Sequence, residues 1–291
     1  MSGLFQLDIV QSAYLAGTIV AIVTAVVGYF VVLRAQAFAS DALSHIGFAG
    51  ATGAAVLGFS SLPGMFVFTL LAALGMGALG QRVRGRDVEI GMLLSFALGL
   101  GVLFLSLYTQ YASETVNVLF GSILSVSPSN VLIMLFCGIG ILLLLALIFR
   151  PLLFASVDPE VAQARGVPVG LLSIAFMLLL AIAISEAAQI VGVLLVFALL
   201  IAPAASAERL TKRPLTAIII AVALSLAITW GGLRLAFISN WPASFYIAAL
   251  AALSYLLAVL VERRSTTRRV ATPEPEHPET ECQKQSRYSY L

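Results

Sequence analysis

Three ionisable residues lie within long apolar stretches of this chain: Asp41, His45 and Glu186. Charge in such surroundings is costly in hydrocarbon and marks ion paths, proton relays or binding sites. Asp41 and His45 stand four residues apart in Ser40-Asp41-Ala42-Leu43-Ser44-His45, a spacing that puts a carboxylate and an imidazole on one helix face. Together they offer an oxygen and a nitrogen to a single cation. That donor set suits zinc, manganese or iron(II), and suits copper(I) poorly, because copper(I) takes thiolates and thioethers. Two ligands leave a tetrahedral or octahedral shell incomplete, so water or further residues must contribute, as befits a site that ions pass through. The alternative is that Asp41, helped by Ser40, caps a helix while His45 is simply hydrogen-bonded in a bundle.

Glu186, in Ile184-Ser185-Glu186-Ala187-Ala188-Gln189, is a third candidate metal ligand. It could equally serve as a proton relay, or as a carboxylate at an unwound helix junction reached by water, and Gln189 shares that ambiguity. Arg234 falls near a helix end, where it is expected to snorkel to the interface. Cys137 lies in an apolar run and Cys282 in a polar one, so they are badly placed to bridge and form no metal cluster.

The elements that must hold these residues are membrane helices. Hydrophobic residues make up 60% of the 291 and charged ones 10%, against about 25% charged in an ordinary soluble domain. Apolar runs cover residues 10–33, 40–58, 62–80, 90–109, 130–149, 170–187, 190–206, 215–236 and 244–262, each near the ~20 residues that cross hydrocarbon. They are continuous and lack a period of two, which speaks against barrel strands. The expected fold class is all-α: a polytopic integral membrane protein with eight or nine transmembrane helices. Met1 to Asp8 lacks a cationic region and the first run is too long for a signal peptide, so it reads as a retained helix. Between 170 and 206 two crossings share little more than the minimum length, so one of them should be broken or re-entrant.

Cations gather at Arg34, at Arg82, Arg84 and Arg86, at Arg150 and Arg165, at Arg209, Lys212 and Arg213, and at Arg263, Arg264, Arg268 and Arg269. Two apolar runs separate each neighbouring pair of clusters, so the positive-inside rule makes all five cytoplasmic. The N-terminus is then outside, the C-terminus is cytoplasmic, and residues 108–130 form the longest external loop. Trp241 and Tyr246 would mark an outer aromatic belt. Residues 1–262 form one membrane domain, and the polar, Pro-containing segment 263–291 is expected to be a disordered cytoplasmic tail.

Asp158-Pro159-Glu160 carries a helix start, with Asp as N-cap, Pro at the first position and Glu in the first turn; Gly166 supplies the stop. The short helix between them is a docking element for a cytoplasmic partner, or else an ordinary surface helix. Farther on, Pro203 amid the small residues of 202–207 predicts a close-packed helix seam. Neither Lys212 nor Lys284 belongs to a Gly-Lys-Ser/Thr phosphate loop, and His-Glu-x-x-His is absent, so the chain is not expected to be an enzyme. A formal net charge of +2 gives no reason to expect nucleic acid.

Three stretches in order resemble the permeases of binding-protein-dependent ABC importers for zinc, manganese and iron. They are Leu33-Arg34 followed by Asp41-Ala42-Leu43-Ser44-His45, then Asp158-Pro159-Glu160 through Ala164 and Gly166, then Val191-Gly192-Val193-Leu194-Leu195 leading to Pro203-Ala204-Ala205. The resemblance spans roughly residues 10–262. It implies a homodimeric multi-pass permease in the cell membrane, beneath an extracytoplasmic metal-binding lipoprotein. Two ATPase subunits would dock on the loop carrying Asp158, Pro159, Glu160, Ala164 and Gly166. The divalent metal is cargo, with no resident cofactor; Asp41 and His45 would line its path, while Glu186 matches no motif of the family. Some zinc-type members carry another histidine in the fourth span, where Gly91-Met92-Leu93-Leu94-Ser95-Phe96 has none, which favours manganese. Members are often counted with eight spans, one fewer than the runs above. Competing expectations are a proton-coupled secondary metal transporter using Glu186 and Asp41, a related permease for iron chelates, and a membrane scaffold or enzyme with a structural Asp–His pair.

Overall fold

The computed structural model describes residues 2–79, 86–107, 121, 128–239 and 241–270. Over those residues the chain is helical: α1 (Ser2–Leu33), α2 (Ala37–Val56), α3 (Ser61–Leu79), α4 (Arg86–Leu107), α5 (Pro128–Val157), α6 (Pro159–Ala164), α7 (Val169–Val191), α8 (Val193–Leu210), α9 (Pro214–Ser239) and α10 (Ala243–Val270). Each of the nine apolar runs falls on one long helix. Seven of these are long and apolar enough to cross a membrane. The other two, α2 and α8, line the interior of the bundle, and α2 buries Ala39 through Ala54 with few breaks. Outward faces of α4, α5 and α10 expose large apolar side chains such as Phe96, Leu147 and Leu257. A solvent-facing surface of that kind belongs in lipid, and the protein is a polytopic all-α membrane protein.

The centre is built where α1, α5 and α7 meet. Phe30 is fully buried and its ring lies 5.6 Å from Phe149 and 6.2 Å from Phe176. The Arg34 guanidinium stacks 5.5 Å from the Phe176 ring and donates to Ser156 Oγ at 3.3 Å, tying the end of α1 to the ends of α5 and α7. A three-residue turn then starts α2, with Ala35 in the left-handed region at φ +52°. On its other side α2 packs against α3 and α4, and α3 in turn packs against α7.

The expected break between 170 and 206 is a single residue. Gly192 has φ +87° and ψ 151°, a conformation essentially restricted to glycine, and it joins α7 directly to α8. Gly121 lies against that joint, so close to the Ile190 carbonyl oxygen that any side chain on it would collide. The seam around Pro203 is as close-packed as its composition predicts: Leu199, Leu200, Ala204, Ser206 and Ala207 are all fully buried. Gly28 of α1 rests on the Leu200 carbonyl, where a Cβ would overlap the oxygen.

Two boundaries differ from expectation. The first helix begins at Ser2, well before the apolar run, and α10 continues to Val270, past the expected tail boundary at 262. Helix propensity carries a chain beyond the hydrocarbon edge, which hydropathy alone does not register. The rest of the tail, residues 271–291, and most of the loop at 108–130 lie outside the described residues.

Candidate functional site

α2 starts at Ala37 with Gln36 as its N-cap, and Gln36 makes no side-chain capping bond. Asp41 is therefore in the second turn, inside the helix, and is not a cap. The serines are occupied locally: Ser40 Oγ donates to the Ala37 carbonyl at 2.7 Å and Ser44 Oγ to the Ser40 carbonyl at 3.0 Å. That leaves Asp41 Oδ1 and His45 Nε2 facing one another at 3.8 Å, with their side chains 35% and 23% exposed. The gap is too wide for a hydrogen bond. It does lie inside the roughly 4 Å that two metal–ligand bonds of ~2.1 Å can span, so one ion can bridge both atoms with other positions left for water.

The position of this pair is set by glycines on the buried side of α2. An added Cβ at Gly50 would overlap the Gly64 carbonyl of α3 and sit 2.6 Å from Phe68 Cβ; one at Gly47 would sit 3.0 Å from Met65 and Thr69. Gly53 makes the matching approach to α4, where a Cβ would lie 2.9 Å from the Phe104 ring. Small residues let two helix backbones come together without a side chain between them, and dispersion contacts hold them there in lipid. From α3 the chain of contacts continues to α7 through a buried hydrogen bond of 2.8 Å between Thr69 Oγ1 and Ser185 Oγ.

Glu186 follows Ser185 but points elsewhere. Its Oε1 faces Gly138 of α5, where a Cβ would stand 3.5 Å away, while Ser185 faces α3. Glu186 lines a separate cavity with Asn130, Met134, Cys137 and Gln189, and no residue of α2 contributes to it. Among the described residues no three His, Cys, Asp or Glu side chains group to hold a metal ion. Asp41 and His45 are thus together, and Glu186 stands apart from them. Sequence reasoning set Cys137 aside because no second thiol was near; its packing beside Glu186 depends on α5 meeting α7, which spacing along the chain does not reveal.

The short helix α6 has the ends its sequence predicts. Asp158 Oδ1 accepts from the Val161 amide at 3.0 Å, and Pro159 occupies the first position. Gly166 takes φ +82°, and the Gly166 and Val167 amides donate to the Gln163 and Ala162 carbonyls, a glycine-closed C-terminus. Ala162 is buried against the bundle, while Glu160, Ala164, Arg165 and Gly166 are exposed. Arg209, at the end of α8, pairs with Glu262 of α10 at 2.6 Å and stacks on Tyr255, an exposed clasp between those helices.

Comparison with known proteins agrees with this architecture. The manganese transport system membrane protein MntC of Listeria monocytogenes is 31% identical over 261 residues, covering 89% of this chain and 93% of that protein. The high-affinity zinc uptake system membrane protein ZnuB of Haemophilus influenzae is 29% identical over 88% of this chain and 99% of its own. Among solved structures, PsaBC from Streptococcus pneumoniae in complex with Fab superposes with a TM-score of 0.78 at 30% identity, over 88% of this chain and 93% of that one. Residues 6–262 match the description of the ABC 3 transport family, and the chain belongs to that family.

Proposed function

We propose that this chain is the membrane-spanning subunit of an importer that carries a divalent transition metal into the cytoplasm, manganese before zinc. The observation that carries the reading is the Asp41–His45 pair: an oxygen and a nitrogen 3.8 Å apart on a packed interior helix, both part exposed. Relatives named for manganese and zinc transport support the cargo class. The absence of a histidine at 91–96 favours manganese within it. A weak, incomplete donor set lets an ion bind and leave, which a transit site requires and a structural site does not.

Energy comes from separate subunits, since neither lysine of the chain belongs to a phosphate loop. The exposed face of α6, closed by Asp158 and Gly166, is the docking point for an ATPase, and two copies of the permease assemble with two ATPases beneath an extracytoplasmic metal-binding lipoprotein. The orientation is N-terminus outside and C-terminus cytoplasmic, which sets α6 and the Arg34 turn on the ATPase side. In cells that rely on the complete transporter and are starved of metal, His45→Ala lowers accumulated manganese to the level of a strain without the permease, while membrane levels of the protein hold. Accumulation equal to wild type would refute the reading.

A further inference from the structure

Glu186 is a carboxylate without a partner. It is 2% exposed, and neither of its oxygens has a hydrogen-bond partner. An isolated charge in an apolar interior is strongly disfavoured, so the group must meet a counter-ion or stay neutral. Glu186 lines a cavity of about 100 Å³ between the starts of α3 and α5 and the end of α7, roomy enough for several waters or an ion with part of its shell.

The other polar groups on the wall are all donors to a metal. Asn130 and Gln189 bring amides, Cys137 a thiol and Met134 a thioether. Gln189 sits in the last turn of α7, where the negative end of the helix dipole adds to the attraction for a cation. Carboxylate, amide and sulfur together suit a divalent ion of borderline softness.

We propose that Glu186, Gln189, Asn130 and Cys137 form a second divalent-cation site, one within each chain and distinct from Asp41 and His45. Binding displaces the thiol proton of Cys137 to solvent, leaving a thiolate–metal bond beside the carboxylate. The site does not depend on the role given to α2, and its test reads binding, not transport.

Cadmium is the probe, because its bond to a thiolate gives an ultraviolet charge-transfer band. In the full chain, held in lipid nanodiscs and carrying Cys282→Ser, Cys137 is the single thiol. Titration produces one saturable band per chain. Cys137→Ser abolishes it, and Asp41→Ala leaves its midpoint unchanged. Glu186→Gln, close to isosteric, shifts the midpoint upward at least tenfold, the lower bound set by losses of outer-shell partners; Glu186→Asp falls between. No band in the Cys282→Ser chain, or the same midpoint in Glu186→Gln, overturns the proposal.

Discussion

Gly50→Ala adds one methyl group at the crossing of α2 and α3, and its cost can be worked from the coordinates. The new Cβ would lie 2.6 Å from Phe68 Cβ, where ordinary contact begins at 3.4 Å, so the helices must part by about 0.8 Å (3.4 − 2.6), and by more at the Gly64 carbonyl. Overpacking of this kind costs roughly 1–3 kcal/mol, and an obstacle made of backbone puts it at the upper end. Alanine returns about 1 kcal/mol of helix propensity, for a net loss of ~2 kcal/mol. At about 2–4 °C per kcal/mol for a large domain, the apparent Tm falls by roughly 4–8 °C. The control is Gly75→Ala on α3, whose Cβ would meet nothing within 4 Å; propensity alone predicts unchanged or slightly raised stability. The assay is thermal unfolding of the detergent-solubilised chain followed by size-exclusion fluorescence. Gly50→Ala as stable as wild type, or Gly75→Ala equally damaged, would refute the claim that direct backbone contact positions Asp41 and His45.

Two further outcomes follow from single contacts. Asp158→Ala removes the α6 cap at a cost of about 1 kcal/mol and weakens co-purification of the ATPase subunit, whereas Asp158→Asn, an equally good cap, retains both; equal loss in the two variants would show that the charge matters and the cap does not. A double-mutant cycle on Thr69→Val and Ser185→Ala, read by thermal unfolding, gives a coupling of roughly 0.5–1.5 kcal/mol, the range of interhelical hydrogen bonds in lipid; additive effects would mean that each hydroxyl is satisfied by its own helix.

What could be read in advance follows the range of the interaction. Local signals survived intact: apolar runs became helices, Asp158-Pro159-Glu160 and Gly166 closed α6, and crowding between 170 and 206 became the Gly192 joint. The α2 spacing correctly put Asp41 beside His45, since four residues along one helix fix a face. Contacts between distant segments were silent. Nothing along the chain shows that Gly50 meets Gly64, that Gly28 meets Leu200, or that Ser185 and Glu186, adjacent in sequence, face α3 and α5. For the same reason Glu186 looked like a candidate third ligand for Asp41 and His45, although it lies in a cavity of its own. Helix ends were misjudged where they leave hydrocarbon, as at Val270, because beyond that edge hydropathy stops reporting on helicity.

The central claim is that Asp41 and His45 carry the cargo, and it is tested most directly by uptake of labelled manganese into vesicles containing this chain with its ATPase and binding protein. The account predicts ATP-dependent uptake that Asp41→Ala and His45→Ala each abolish while the assembled complex still hydrolyses ATP. Uptake that proceeds without ATP, or that both substitutions leave intact, would contradict it.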